Sequence, residues 1–132
     1  MEKTLLLHTQ WGTDENVGIR ISSYINNKAL YIGLVSNTDG YDEPYGDVSV
    51  NLAHAAPEYC AYVDTNNMPE LEKFITDNRL GEFTGMTQGS GFCSYPLYLF
   101  DADRLRELCP EGMAMYERQI KKDAPERKAH AR

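Results

Sequence analysis

Few side chains in this chain are suited to covalent or metal chemistry. Its cysteines are Cys60, Cys93 and Cys109, and its histidines are His8, His54 and His130. Cys93 and His54 could form a thiol–imidazole pair, because a cysteine nucleophile needs a base within reach. The simpler reading is a buried thiol, since cysteine is among the most buried residue types. Cys60, inside an alternating apolar run, reads as core. No His or Cys pair has zinc spacing, so neither a metal nor a cofactor is expected. An odd cysteine count without paired spacing argues against a disulfide framework and fits a reducing compartment. The stretch 37–43 sets oxygen ligands around Gly40 but lacks the twelve-residue calcium pattern and its terminal glutamate; it reads as a solvated acidic loop. Thr84 to Gly91 is glycine-rich and could offer backbone amides to an anion. It lacks the lysine and Ser/Thr ending of a P-loop and the dinucleotide-binding spacing. A structural loop is the plainer account, with Gln88, Ser90, Phe92 and Cys93 as its ligand-facing candidates.

Charge gives a second kind of chemistry. The net formal charge is −7, but residues 1–117 carry 7 Lys and Arg against 18 Asp and Glu, while 118–132 carry 6 against 2. An acidic body repels phosphate backbones and suits a basic partner surface; acidity for solubility is the blander explanation. The acids most available to a partner are Asp39, Asp42, Glu43 and Asp47. Tyr41 and Tyr45 lie among them as aromatic anchors, a residue type enriched at interface hot spots. The basic stretch at 118–132 is a weak signal for nucleic acid, because the last turns of a helix favour Lys and Arg anyway.

The elements that position these residues follow from periodicity. A chain of 132 residues with 42% hydrophobic residues forms one domain with a core of its own. Lys3 to His8 predicts a short strand. Val17, Ile19, Ile21 and Ile25 alternate with polar neighbours and predict a half-buried strand. Asn26-Asn27 predicts a tight hairpin to the strand 29–35. Ser36 to Gly46 reads as a polar loop, Asp47 to Leu52 as a third strand, and Glu58 to Asp64 as its partner. Met68 to Asn78 predicts a helix capped by Asn66 or Asn67, with Pro69 in its first turn and Gly81 as its left-handed exit. Tyr95 to Phe100 predicts a strand, at an edge or entrance because Pro96 lacks a donor. Asp101 or Asp103 caps a helix that Pro110 interrupts, and a last helix runs to about Lys122 with Met113, Tyr116 and Ile120 on its apolar side. The fold expected is α+β: a meander of about five antiparallel strands with helices mainly on one face, over residues 1–123. Residues 124–132 are expected to fray as a basic tail.

Val63-Asp64-Thr65-Asn66-Asn67, Thr84-Gly85 and Gln88 to Phe100, with Leu30 to Leu34 and Pro44 to Leu52, resemble a family of short bacterial proteins known only as a domain of unknown function. The resemblance covers roughly Tyr31 to Phe100. It implies an origin in gut-type bacteria and their mobile elements, and it supplies no catalytic residues. It implies an accessory protein of a mobile element, a class whose small acidic members include inhibitors of host defence nucleases. The expected function is therefore a non-enzymatic acidic binding protein that occupies a basic, nucleic-acid-binding surface of another protein. The alternative is a small enzyme or ligand-binding domain built on the Thr84–Ser94 loop and Cys93. Apolar runs are too short for a signal peptide or a membrane span, so a soluble cytoplasmic protein is expected.

Overall fold

The computed structural model describes residues 3–38 and 40–122; Asp39 and the expected tail over 124–132, with His130, lie outside the described residues. The apolar alternation builds the first sheet. β2 (Asp14–Ser23) and β3 (Leu30–Thr38) run antiparallel with Ile19 opposite Leu34 and Ile21 opposite Ile32. Side chains two apart share a face of a strand, so these residues point together into the core. β1 (Leu5–His8) pairs with the first residues of β2, Leu5 opposite Val17. The turn between β2 and β3 is wider than Asn26-Asn27 alone. Tyr24 N–H donates to Ala29 O, Lys28 N–H donates to Tyr24 O, and Lys28 takes the positive φ of 64°. Asn27 instead accepts from Ala29 N–H and donates to Asn51.

The polar loop expected over 36–46 is a hairpin. β3 continues to Thr38, and β4 (Tyr41–Asp47) returns along it, completing the order β1-β2-β3-β4. A second sheet has the order β5-β6-β8-β7, with β5 (Ser49–Val50), β6 (Cys60–Val63), β7 (Gly81–Ser90) and β8 (Cys93–Phe100). The class is α+β as expected, with two four-stranded sheets in place of one of about five strands. The glycine-rich loop expected at 84–91 is most of β7. The third strand expected over 47–52 shrinks to β5, because from Asn51 the chain turns into the connection that covers the second sheet.

That covering explains a divided core. Ala61, Val63, Tyr98 and Phe100 face the main core with β1–β3 and the helices, whereas Cys60, Tyr62 and Leu97 face Leu52, with Val50 and Ala56 packed alongside. Pro96 sits within β8, between β6 and β7, and not at a sheet edge. The pairing of β8 with β6 spans Leu97–Leu99, so Pro96 lies just past it, where a missing N–H costs no ladder bond on that side.

α1 (Leu71–Asp77) buries Leu71, Phe74 and Ile75, the expected face. Its cap differs. Glu70 occupies the cap position without a side-chain cap bond, while Asn67 donates to Asp64. The left-handed residue at its exit is Arg79, φ 55°. Gly81 serves another purpose: as the first residue of β7 it faces Phe100, and a Cβ there would stand 2.5 Å from Leu99 O. α2 (Ala102–Leu108) starts as expected, with Asp101 accepting Arg104 N–H at 3.1 Å. α3 (Pro110–Lys122) buries Met113 and Tyr116, and Ile120 packs beside them.

The first turn of α3 lies against the edge of β2 that β1 leaves uncovered. Gly112 abuts the backbone carbonyl of Ile21 so closely that any Cβ would overlap it. Gly112→Ala raises helix propensity, which alone would add up to about 1 kcal/mol. The overlap should win, with a net loss of about 2 kcal/mol in urea denaturation. A variant as stable as the parent would show that this helix does not seal the strand edge.

Candidate interaction surface

The β3–β4 hairpin gathers the candidate partner-binding residues. Asp42 lies opposite Asn37, Glu43 opposite Ser36 and Asp47 opposite Gly33. Asp42 and Asp47 are an odd number of residues apart and would normally fall on opposite faces. A register shift at Leu34/Val35 inserts Tyr45 as an extra residue and brings both aspartates to one face. Glu43 points to the other. Tyr41 is 74% exposed and flanks the turn; Tyr45 is also exposed. Asp39, the remaining candidate, falls at the turn outside the described residues.

Two of these carboxylates are oriented by neutral donors. Asn37 Nδ2 donates to Asp42 at 2.9 Å, and Tyr31 Oη donates to Asp47 at 2.7 Å. Tyr31 reaches Asp47 by lying across Gly33, where a Cβ would overlap its ring and hydroxyl. Burial first, then the hydrogen bond and charge of Asp47, push the Tyr31 phenol up to about 12, against a smaller lowering by Arg20. Tyr24 stacks edge-on against Tyr31 and hydrogen-bonds Ser49 at 2.8 Å. Its phenol is also raised, chiefly by burial. Tyr45 is raised by burial and by the nearby charges of Glu15 and Glu70.

Asp42 also stands on the wall of an open cleft of about 660 Å³ between the outer side of the first sheet and the α2–α3 elbow. Lys3 and Arg20 line it together with Glu107, Glu111 and Cys109. Lys3 is already paired with Glu107 at 3.5 Å. Mixed charge in an open trough can hold a salt-bridging side chain.

The second candidate group changes character. Gln88 lies opposite Tyr95 and Ser90 opposite Cys93, so Gln88, Ser90 and Cys93 share one face of the β7–β8 hairpin, with Phe92 in its turn and fully exposed. The expected loop is thus an extended strand, and its amides are not gathered into an anion cradle. The Tyr95 hydroxyl meets the Cys93 thiol, and that bond first, with burial second, raises the phenol. His54 is exposed on the connection after β5, and no hydrogen bond joins it to Cys93 among the described residues. Cys60 is buried, and burial raises its thiol. Among the described residues no cluster of His, Cys, Asp and Glu could hold a metal ion, and no helix is long and apolar enough to cross a membrane.

Sequence reasoning missed Tyr31 and Gly33, whose partnership appears only once the register is known. It also missed Trp11, 80% exposed in the turn before β2. The backbone of neighbouring Gln10 is bonded to Glu70 at 3.3 Å.

A family described as a domain of unknown function (DUF4313) matches residues 18–120. The chain belongs to it. The match takes in the β3–β4 and β7–β8 hairpins, α1, α2 and α3 as far as Ile120. No curated protein and no solved structure matches the chain.

The tyrosine–aspartate contact has a defined pH signature. Its phenol is raised in the fold, so the neutral form is favoured there. The stability it contributes is complete below the unfolded tyrosine pKa of about 10 and is lost as pH rises through about 12. The difference in unfolding free energy between the parent and Tyr31→Phe should hold constant at neutral pH and shrink across that interval. A pH-independent difference would show that neither burial nor Asp47 raises the phenol in the fold.

Proposed function

We propose that this protein is a non-enzymatic binding protein whose β3–β4 hairpin presents carboxylates and tyrosines to a basic protein surface. The observation that carries the reading is how charge is neutralised. The ion pairs among the described residues join Lys3 and Arg104 to Glu107, Arg106 to Asp103 and Glu117, Lys73 to Asp77 and His8 to Asp14. None of these pairs involves Asp42, Glu43 or Asp47. Four of the six described helical acids, all but Glu72 and Glu111, pair with a base, whereas none of the described hairpin acids does; Asp42 and Asp47 are held by neutral donors and keep their charge for an incoming cation. Exposed tyrosines beside them supply apolar area at low entropic cost.

A basic groove that normally holds nucleic acid is the target such a strip fits best. Asp42 and Asp47, on one face of the strand, can stand in for successive backbone phosphates. On this reading the protein is an accessory of a mobile element that blocks a host defence nuclease. The face of Gln88, Ser90 and Cys93 supports ligand chemistry less well, since no imidazole bonds the thiol among the described residues.

Location can be separated from net charge. Asp42→Asn, Glu43→Gln and Asp47→Asn together should weaken binding to immobilised poly-lysine by about tenfold at low salt and flatten its salt dependence. The equal-charge control Asp77→Asn, Glu82→Gln and Asp103→Asn should change it far less. Equal losses in the two triples would reduce the effect to total charge and remove the hairpin from the account.

A further inference from the structure

The fold closes most of its strand edges. Asn78, at the end of α1, donates to Leu6 O on β1, and α3 seals β2 at Gly112. Of the four edge strands, β1 and β5 are only four and two residues long, and the chain entering β5 is bonded to β3 where Val48 N–H donates to Ile32 O; the long edges are the outer sides of β4 and β7. They are protected very differently. β4 carries Pro44, three carboxylates and a bulge, the usual devices against strand addition. β7 has a bulge between Phe83 and Thr87, and beyond it Thr87 to Ser90 form a regular ladder with no charge and no proline. Within a chain that is 25% charged, the 18 residues Phe83 to Phe100 contain no Asp, Glu, Lys or Arg. Met86 is 63% exposed and Phe92 fully so.

We propose that β7 is a self-association edge, at which a second copy of this chain adds its own β7 antiparallel about a two-fold axis. This goes beyond the binding reading and does not depend on what the acidic hairpin contacts. Charge selects the occupant. Two copies of an acidic chain repel each other over most of their surfaces, and the uncharged hairpin is where they can meet without that cost. The spacing of apolar residues is also self-complementary. An axis through Gly89 sets Met86 of one copy opposite Phe92 of the other, and repeats the contact on the far side of the axis. A thioether against an aromatic ring is favourable, and the free amides and carbonyls of the two edges satisfy each other.

Sedimentation across micromolar to millimolar concentration should show a monomer–dimer equilibrium. Backbone hydrogen exchange measured at the two ends of that range should show concentration-dependent protection confined to 86–92. Thr87→Lys with Gln88→Lys places like charges across the axis on both faces. It should weaken the dimer by at least about tenfold while leaving the far-ultraviolet spectrum unchanged. A monomer at every concentration, a dimer protected elsewhere, or one indifferent to the lysine pair overturns the proposal.

Discussion

Val48 is the residue on which both halves of the molecule hang. It is fully buried, its N–H donates to Ile32 O in the first sheet, and its carbonyl accepts Asp64 N–H from the end of β6. The chain bends at Val48 between β4, laddered to β3, and β5, laddered to β6, so this one residue joins the two sheets. Beside it Ser49 Oγ, also buried, accepts Ile32 N–H at 3.0 Å and hydrogen-bonds the Tyr24 hydroxyl. Every polar atom named in this seam has a partner, which lets it cross the interior without the penalty of an unsatisfied group. The seam also fixes the base of the acidic hairpin, so its carboxylates project from a rigid root.

That rigidity bears on what the hairpin can do. Charged side chains on a mobile loop lose much of their attraction to the entropy of ordering on contact. Here Asp47 is held by Tyr31, and Asp42 by Asn37, before any partner arrives. The pairing of helical acids follows from a different local rule. Residues three or four apart on a helix are neighbours, so Arg104–Glu107, Arg106–Asp103 and Lys73–Asp77 form within single helices. β4 contains no base, and its ladder partner β3 carries none either, so its acids have no such neighbour.

The same contrast explains which parts were legible from the sequence. β2 and β3 bury one face, and their alternation announces them. β4 and β7 bury almost nothing on either face, so the period of two that marks a strand is absent from Tyr-Asp-Glu-Pro-Tyr-Gly-Asp and from Gly-Glu-Phe-Thr-Gly-Met-Thr-Gln-Gly-Ser. What holds them is the ladder, a cross-chain property that composition does not encode. The acids of the hairpin could be counted in advance, but their division between faces rests on the one-residue bulge at Tyr45. Local rules placed the Asp101 cap and the Met113–Tyr116 face correctly. They misassigned Gly81, whose lack of a side chain answers to a strand behind it and not to the helix before it.

Strands exposed on both faces are costly places to keep order, and a fold that retains two of them has to stop each from recruiting stray chains. β4 does so with charge, proline and a bulge. A device of that kind admits only partners whose own charge matches it, so protection against aggregation and selectivity for cations are one property of the same residues. β7 carries the bulge alone, and the bulge leaves its outer half open. Selection against promiscuous pairing would ordinarily place a lysine or glutamate there. That the uncharged stretch instead carries the exposed Met86 and Phe92 argues that this edge is covered when the protein works, and that the two bare strands serve different contacts.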